Sequence, residues 1–379
     1  MSKASIENRL AQIRKSRGIA AADLARRVNV SRQTIYAIEA GTYVPNTEVA
    51  LHLAQELEVS VDELFSLRSS AQPSPESITA DILSDAPLVA SQPVRICQIG
   101  TRWVSVPVPN IPFFLPEADG IVKRTSRATT GKTGRADLMV FAKDEASQKR
   151  MLLAGCDPAT SLVSNMVERI SGIEIVSAAA SSKLALAWLK EGKVHIAGSH
   201  LRHPESGEFN VHYVRQHFAG EELLMVTFAH WEEGFVVASG NPKEIRRTID
   251  LGRRGIRFAN REPGSGSRVL LDRLIREVGL PPAKVYGYDQ VVFGHLPAAF
   301  RIFSEAADVC IATRSAAQTF GLDFIPVQCA RYDLVMRKRS ADLPAVKAFL
   351  DVLQRATLRR KLEVLAGYDT SQTGAVVAV

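Results

Sequence analysis

Residues 260–268 read NREPGSGSR, a Gly- and Ser-rich turn between a strand pattern and a helix pattern. Such a turn exposes backbone N–H groups at a helix N-terminus, where they can bind an anion, and hydroxyl and guanidinium groups add further donors. The candidate ligand contacts in this segment are Arg261, Gly264, Ser265, Gly266, Ser267 and Arg268. The same composition is typical of an ordinary strand-to-helix turn with a serine N-cap, so both interpretations stay open for this segment alone.

Two other predicted strand ends also carry hydroxyl groups. Asp157, Thr160 and Ser161 follow the strand pattern MLLAGC, and Ser181 and Ser182 follow GIEIVSAAA. In open α/β sheets, ligands bind beyond the carboxyl ends of the strands. We therefore expect the hydroxyl-bearing helix N-termini to converge on one small oxyanion, which neutral donors can hold and also release.

A different chemistry is indicated by residues 22–41, which predict two short helices joined by a turn at Asn29. Ser31 suits the N-cap of the second helix, which carries Ile35 and Ile38 inward. The outward residues of that helix are Arg32, Gln33, Thr34 and Tyr36. Arg, Gln and Thr at the exposed N-terminal end of a helix can reach base edges in the DNA major groove. Basic side chains dominate the first 32 residues and acidic ones follow, a polarity that suits approach to phosphates from one side.

The remaining reactive residues form no catalytic or metal-binding pattern. The four cysteines have no CxxC spacing. His200 and His203 could hold a metal, but no HExxH motif or Cys partner accompanies them, so a polar hinge between two lobes is the favoured interpretation of the segment around them. That segment also contains His195, His212 and His217. We therefore expect a protein that is not an enzyme, with no catalytic residue, no bound metal and no cofactor.

Length and composition set the wider limits. The chain has 379 residues and a net charge of +7, which allow about two or three domains and are compatible with a DNA partner. The first ten residues contain no apolar signal-peptide core, and the longest apolar run, residues 223–229, is too short to span a bilayer. These features indicate a cytoplasmic protein that makes no membrane contact.

The pattern along the chain indicates a multidomain protein. Residues 1–68 predict an all-α domain of five helices, the first of them over residues 6–15. Residues 69–93 are rich in Ser, Pro and Ala and predict a linker, and residues 94–149 predict a small β-rich subdomain. From residue 150 strands and helices alternate, which indicates a parallel sheet. A two-lobed α/β domain over residues 150–379, with its second lobe at about 205–328, fits this order better than a doubly wound enzyme.

Residues 5–66 resemble the Cro/CI-type (Xre) helix-turn-helix DNA-binding domain over its whole length. The matching segments are IRKSRG, LARRVNVSRQTIYAIEAG and PNTEVALHLAQELEVSVDELF. The resemblance implies that Arg32, Gln33 and Thr34 contact bases and that Arg14 contacts a phosphate. Ala20 and Ala21 stand where this family usually has Thr-Gln, so the phosphate contact of that Gln is missing here.

Residues 150–370 resemble the type 2 periplasmic-binding-protein-like domain that occurs fused to helix-turn-helix regulators, through LLAGCDPATSLVS, GIRFANREPGSGSRVLLDRLI, ADVCIATRSAAQTFGLDFIPV and ARYDLVMRK. More distantly, the helices after the first two strands are similar to those of molybdate-binding proteins, which hold an oxyanion by serine hydroxyls and backbone amides. The resemblance implies ligand contacts at Ser161, at Ser181 or Ser182, and at the amides of residues 264–267. Thr313 stands where the family often has a ligand tyrosine. Asp157 would repel an oxyanion unless it is neutralised, and two alternatives stay open: it pairs with an arginine, or the site prefers a larger ligand such as a pterin-bound metal.

These observations predict a ligand-responsive transcription regulator. It would bind a palindromic operator in double-stranded DNA as a homodimer. Its effector would be a small oxyanion, molybdate or tungstate, or a molybdenum-cofactor species. Two alternatives stay open: an enzyme that acts on a pterin or phosphorylated metabolite and is localised by its DNA-binding domain, and a protein-interaction or dimerisation module whose cleft binds nothing.

Overall fold

The structure is a computed structural model that describes residues 6–67, 76–84, 88–108, 117–125, 134–141, 150–364 and 367–379. The chain divides into two compact units, Met1–Ser74 and Pro75–Val379, and each is described by itself. The expected multidomain architecture is confirmed, with a five-helix domain, a β-rich part and a two-lobed α/β domain. The predicted boundary at residue 68 lies outside the described residues.

The first unit is a helical bundle whose helix starts are set by polar caps. Its helices are α1 (Leu10–Ser16), α2 (Ala21–Arg27), α3 (Arg32–Glu39), α4 (Thr47–Glu56) and α5 (Val61–Leu64). Ser31 caps α3 by accepting from the Thr34 amide, and Ser60 forms a reciprocal capping box with Glu63 at α5. The caps fix the helix ends, and the apolar faces meet in a core formed by Leu10, Leu24, Ile35, Ile38, Leu53, Leu57 and Leu64.

The predicted first helix over residues 6–15 is wrong at its N-terminal end. Strand β1 (Ile6–Asn8) pairs antiparallel with strand β2 (Phe65–Leu67), at the far end of the unit. The helix begins only at Leu10, whose amide donates to the Asn8 side chain at 2.9 Å. Because the pairing joins distant parts of the sequence, a local helical pattern could not reveal it.

The second unit opens with a small closed β-barrel. Its strands are β3 (Glu76–Ile82), β4 (Pro93–Ile99), β5 (Arg102–Pro107), β6 (Gly120–Thr125) and β7 (Arg135–Val140), in the order β3-β5-β4-β6-β7. The β-rich expectation for residues 94–149 agrees with four of these strands. The linker expected over residues 69–93 is corrected, because β3 lies within it and pairs with β7 and β5.

The barrel is tied to the α/β domain by a buried ion network. Arg150, which precedes the first strand of that domain, bonds to Asp119 of the barrel at 2.8 Å and to Glu174 at 2.5 Å. Arg95 of β4 pairs with the same Asp119 carboxylate at 3.1 Å. Shared carboxylates of this kind hold two charged elements in one geometry better than isolated surface pairs do. The barrel therefore packs as a fixed part of the second unit.

The α/β domain is built on one nine-stranded sheet. Its strands are β8 (Met151–Gly155), β9 (Ile175–Ala179), β10 (Ile196–Ser199), β11 (Leu223–Val237), β12 (Phe258–Arg261), β13 (Val291–Val292), β14 (Val309–Thr313), β15 (Asp323–Arg337) and β16 (Val376–Val377). The order is β13-β12-β14-β11-β15-β10-β8-β9, and β16 pairs with β11. Strands β8, β9 and β10 are parallel, as the alternating pattern predicted.

Helices cover both faces of this sheet. They are α6 (Thr160–Ser171), α7 (Ser182–Lys190), α8 (Val211–His217), α9 (Gly266–Glu277), α10 (His295–Phe303), α11 (Arg314–Thr319), α12 (Pro344–Gln354) and α13 (Ala356–Val364). Short 3-10 turns occupy Thr248–Gly252, Pro282–Lys284 and Lys338–Asp342. One core lies around Trp188 and Val335, and barrel residues Cys97 and Val104 contribute to it. A separate core around Phe258 and Leu271 belongs to the second lobe.

The two lobes are joined by β11 and β15, which pair antiparallel along their whole lengths. Their N- and C-terminal halves belong to different lobes, and the register shifts between Glu233 and Gly234. The second lobe thus lies between about Gly234 and Pro326, so the predicted end at about 328 agrees and the predicted start at about 205 is corrected. The histidine-rich segment is not the hinge, because Val211 and Val214 of α8 pack in the core of the first lobe.

Candidate ligand cleft and DNA-binding surface

The cleft lies where the carboxyl ends of β8, β9 and β10 face the end of β12 and the start of α9. Gly266, the first residue of α9, lies against the ring of His200, so that an added Cβ would be 2.3 Å from its Nε2 atom. Gly264 lies similarly close to the other lobe, since an added Cβ would be 3.5 Å from Oγ of Ser181. The two lobes are therefore in direct contact, and the cleft is closed.

Three of the predicted hydroxyl groups act as helix caps at this cleft. Ser181, Ser265 and Thr313 accept hydrogen bonds from the backbone amides of residues 184, 268 and 316. All three side chains are buried. They fix where α7, α9 and α11 begin, and their role as ligand contacts stays a prediction.

Two further serines bond to a charged pair between the lobes. Oγ of Ser182 lies 3.2 Å from Nδ1 of His200, and Ser267 donates to the Glu233 carboxylate at 2.7 Å. Nε2 of His200 is 3.6 Å from Oε1 of Glu233, and neither side chain is exposed. Burial would lower the pKa of His200, but Cys156 and Glu233 raise it, while His200 holds the pKa of Glu233 low against the effect of burial. The pair is therefore an ionic contact at the hinge.

The two arginines of the Gly-Ser turn are both held by protein groups. Arg261 forms a bidentate pair with Glu262, with both N–O distances 2.8 Å, and its Nη1 atom has no partner among the residues that the structure describes. Arg268 lies 3.9 Å from the ring centroid of Tyr288 and bonds to Asp272 at 3.3 Å. The prediction that Arg268 adds a donor at the turn is corrected, because its guanidinium is stacked and paired on the side of α9.

A cavity of about 800 Å³ opens beside the contact between the lobes. The first lobe contributes the end of β8 and the start of α6, the second lobe contributes the loop before α10, and the barrel contributes a third wall. Of the predicted ligand residues, Asp157, Thr160 and Ser161 line this cavity. The barrel residues that face it are Leu83, Ser84, Gln92, Val106, Pro107 and Val108.

The α6 end of the cavity is polar. Ser161 is exposed and donates only a 3.3 Å hydrogen bond to the carbonyl of Pro158, while Thr160 donates to the carbonyl of Asp157 at 2.8 Å. The Asp157 carboxylate accepts from the Ala159 amide at 2.6 Å and from the hydroxyl of Tyr368 at 2.9 Å. Burial raises the pKa of Asp157 to about 7 in spite of these bonds. The carboxylate that was expected to repel an anion is thus close to losing its charge at neutral pH.

Buried polar atoms without partners gather around the cleft. Among the described residues, no hydrogen-bond partner is present for Oδ2 of Asp157, Nε1 of Trp231, or either ring nitrogen of His295. Burial and Arg261 hold the pKa of His295 well below its ordinary value. Native proteins satisfy almost all buried polar groups, so atoms of this kind at one place mark the cleft as a candidate binding site.

A set of possible metal ligands lies at the same place. One ligand atom each from Cys156, His200 and His295 lies within 4.8 Å of the other two. The sequence pattern instead suggests His200 and His203 together as possible metal ligands, but the ring of His203 lies 4.0 Å from that of His212. The structure corrects this pairing, because His200 follows β10 into the cleft and His203 does not.

The DNA-binding candidates lie on α3. Arg32, Gln33 and Tyr36 are exposed, and the Arg32 guanidinium bonds to the Tyr36 hydroxyl at 2.9 Å. Thr34 is half-buried, with its hydroxyl 2.8 Å from that of Ser31 at the N-cap. The helix therefore presents an Arg and a Gln at its N-terminal end, as base readout requires. Contact of these residues with bases stays a prediction.

The predicted phosphate contact at Arg14 is corrected. Its side chain is 10% exposed and pairs with Glu39 of α3 at 2.5 Å, and its Nη1 atom donates to the carbonyl of Ile19 at 2.7 Å. The pKa of Arg14 is raised chiefly by the hydrogen bond to Glu39. Arg14 therefore joins α1 to α3 inside the bundle, and its guanidinium is occupied.

Several site residues could not be found from the sequence pattern. Cys156 and His295 carried no motif, and Glu233 and Trp231 lay in an apolar strand pattern. His295 is the first residue of α10 and follows Gly294 at the N-cap. A glycine before a helix start also occurs in the Gly-Ser turn at residues 264–266, and this was the signal in the sequence that could have indicated His295. The barrel wall carried no such signal, because it forms by pairing of strands.

Comparison with known proteins agrees with this architecture. The PBP superfamily domain matches residues 163–354, and a helix-turn-helix domain matches residues 10–64. The chain belongs to the PBP superfamily domain family. YvgK of Bacillus subtilis (strain 168), an uncharacterised protein, is 34% identical over 227 residues, which are 60% of this chain and 73% of that protein. The helix-turn-helix-type transcriptional regulator MJ0272 of Methanocaldococcus jannaschii, also uncharacterised, is 37% identical over 60 residues, 16% of this chain and 91% of that protein.

Among solved structures, the tungstate ABC transporter from Geobacter sulfurreducens matches with a TM-score of 0.41 and 12% identity. The match covers 57% of this chain and 97% of that one, and it is too distant to inform the ligand. By the two family matches, the chain is a helix-turn-helix transcription regulator fused to a PBP-like ligand-binding domain, and both families are binding domains rather than enzymes. In the part of the chain that the structure describes, no helix is long and apolar enough to cross a membrane.

Proposed function

We propose that the protein is a transcription regulator whose operator binding is controlled by an anionic effector of cofactor size. The observation that carries this proposal is the cavity of about 800 Å³, which is bounded by both lobes and by the barrel. Sites for drug-sized ligands and cofactors are about 300–1,000 Å³. A bare tetrahedral oxyanion would fill only a small part of this space. A molybdenum-cofactor species is therefore the first candidate, ahead of molybdate or tungstate.

The neutral polar groups of the cavity suit such an effector, and of its two carboxyl groups Glu262 is paired with Arg261. Ser161, Ser164 and Asn165 of α6 and Gln92 of the barrel face it with neutral hydrogen-bonding groups. Neutral donors can hold an anionic group without a fixed counter-charge, so that the ligand can also leave. Because the second lobe closes the cavity from one side, ligand occupancy favours the closed arrangement of the lobes.

A thermal-shift assay on the full chain tests the ligand half of the proposal. The probes are molybdate, tungstate, phosphate and a pterin phosphate. A ligand at 100 times its Kd stabilises the folded state by about 2.7 kcal/mol. Ser161→Ala should weaken the shift, whereas Ser171→Ala, at the other end of α6, should not. No shift with any probe, or equal shifts in both variants, would contradict the proposal.

The regulatory half requires a readout on DNA. We propose that the protein binds a palindromic operator as a homodimer, with α3 of each copy in the major groove and half-sites about one helical turn apart. In vitro selection of bound duplexes should return such an inverted repeat. Fluorescence anisotropy on the selected duplex should then change when the stabilising probe is added. Operator binding that is indifferent to that probe would remove the regulatory half and leave the ligand half intact.

A further inference from the structure

We propose that Cys156, His200 and His295 form a binding site for one transition-metal ion of the Zn²⁺ type. One sulfur and two imidazole nitrogens are a ligand set that suits Zn²⁺ and neighbouring transition metals, and not Mg²⁺ or Ca²⁺, which take oxygen ligands. This site goes beyond the effector proposal, because it would exist whichever molecule fills the cavity.

The distances between the candidate ligand atoms are near those of a tetrahedral site. Sγ of Cys156 is 3.8 Å from Nδ1 of His200. Zn–S and Zn–N bonds of ordinary length at a tetrahedral angle place sulfur and nitrogen roughly 3.5 Å apart. One ligand atom from each of the three residues lies within 4.8 Å of the other two, so the set must contract by about 1 Å to hold one ion. We expect that contraction to come from a small rotation of the second lobe or of the His295 ring on binding of the ion.

The surroundings of His200 match those of a metal ligand. A ligating histidine usually directs its other ring nitrogen to a carboxylate, which fixes the ring orientation. Here Nε2 of His200 faces Glu233 at 3.6 Å, and Glu233 is itself held by Ser267 at 2.7 Å and by Gln328 at 3.1 Å. An ion at Nδ1 would replace the proton there and leave Nε2–H directed to Glu233.

His295 gives an independent reason to expect a ligand. Its side chain is 1% exposed, and neither ring nitrogen has a hydrogen-bond partner among the described residues. A buried imidazole with no partner is costly, and a metal bond would satisfy it. Removing the His295 ring breaks no side-chain hydrogen bond of the described fold. The ring packs near His200 and Trp231, so the melting temperature of a variant at this position is measured alongside its metal binding.

The ion would connect the two lobes. Cys156 and His200 follow β8 and β10 of the first lobe, and His295 begins α10 of the second lobe. Cys156 and His295 also line the cavity, so the fourth coordination position of the ion is accessible from it. Three protein ligands with one open position are typical of zinc sites that exchange a water or bind a substrate.

The test uses the full chain, stripped with a chelator and titrated with Co²⁺ and then Zn²⁺. Co²⁺ should bind at one ion per chain with a thiolate-to-metal charge-transfer band, and Zn²⁺ should displace it. Cys156→Ser should abolish the band, and His295→Gln should weaken binding further than Glu233→Gln. Loss of the Glu233 carboxylate should weaken binding by about 10–100-fold, as is usual for outer-shell partners.

Two variants serve as matched controls. Cys329→Ser removes an exposed cysteine, and His212→Gln removes an exposed histidine of the His203–His212 pair. Both should bind Co²⁺ like the unchanged chain. The proposal is overturned if the stripped chain binds no Co²⁺ or Zn²⁺, if His295→Gln binds normally, or if His212→Gln loses the ion. None of these readouts uses an effector or DNA. The metal-site proposal can therefore be refuted while the regulatory proposal stands, and the regulatory proposal can be refuted while the metal-site proposal stands.

Discussion

Gly266→Ala should open the cleft without unfolding the protein. The added Cβ would lie 2.3 Å from Nε2 and 2.4 Å from Cδ2 of His200, at least 1 Å short of the 3.4 Å at which ordinary contact begins. Overpacking of this kind costs about 1–3 kcal/mol. Gly266 and His200 belong to different lobes, so the overlap is relieved when the lobes separate. Gly266 is also the first residue of α9, where Ala is a good helix former.

The expected size of the effect follows from that cost. A change of about 1–3 kcal/mol in the closing equilibrium raises the population of the open arrangement roughly 5- to 150-fold. Amide hydrogen exchange should accelerate by a similar factor in peptides around residues 199–203 and 264–268, and the rest of the second unit should exchange as before. The melting temperature of the full chain should change little.

Gly198→Ala is the matched control. Its Cβ would lie 1.9 Å from the hydroxyl oxygen of Tyr332, and both residues belong to the first lobe. Separation of the lobes cannot relieve this overlap, so the variant should lower the Tm by roughly 2–10 °C. If Gly266→Ala lowers the Tm as much as Gly198→Ala does, or leaves exchange around His200 unchanged, the assignment of this contact to lobe closure is refuted.

Three other perturbations test separate parts of the molecule. Arg14→Ala should destabilise the helix-turn-helix domain by about 1–3 kcal/mol, because it leaves the Glu39 carboxylate unpaired. The destabilisation should appear as faster hydrogen exchange over residues 10–39. Unchanged exchange together with weaker operator binding would instead support the phosphate contact. Gln33→Ala should weaken binding to the selected operator by about 1–3 kcal/mol and relax the preference for one base. Fluorescence anisotropy on operator duplexes with single-base changes measures both effects. Equal weakening on every duplex would show that Gln33 contacts a phosphate instead. Burial lowers the pKa of His195 from 6.5 to about 4, so the unfolded chain takes up this proton first. The free energy of unfolding should therefore fall by up to about 3 kcal/mol as the pH falls from 6.5 to 4, and this contribution should be constant above pH 6.5. In denaturant titrations, His195→Gln should remove that part of the pH dependence. An identical pH profile in the variant would contradict this role of His195.

Local features of the fold were predictable from the sequence. Ser31 was identified as a helix cap because capping depends on residues that are neighbours in sequence, and the structure has its side chain accepting from the Thr34 amide. The parallel arrangement of β8, β9 and β10 followed from their alternation with helices. Strand β3 was missed because its pairing partners, β5 and β7, lie later in the chain. A strand among Ser and Pro residues carries too weak a local pattern to show this.

The site was predicted less completely than the fold. The sequence indicated that hydroxyl groups at several strand ends would come together, and Ser182 and Ser267 do meet at the His200–Glu233 pair. The sequence could not show that the His200–Glu233 pair lies where the two lobes meet. His200 is 44 residues from Cys156, and only the sheet order brings the two together. Spacing motifs detect metal ligands on one element and therefore give no signal here.

The pairing of β11 with β15 across both lobes also determines how fast the domain can respond. No irregular linker separates the lobes along these strands, so we expect domain movement to come from a change of twist at the register shift Glu233/Gly234, where the lobes meet. Such a change keeps the backbone hydrogen bonds of the sheet, and collective motions of this kind take microseconds to milliseconds. Opening and closing would then be faster than the dissociation of a tightly held molecule. The lifetime of the regulatory state would be set by the residence time of the bound molecule and not by the hinge.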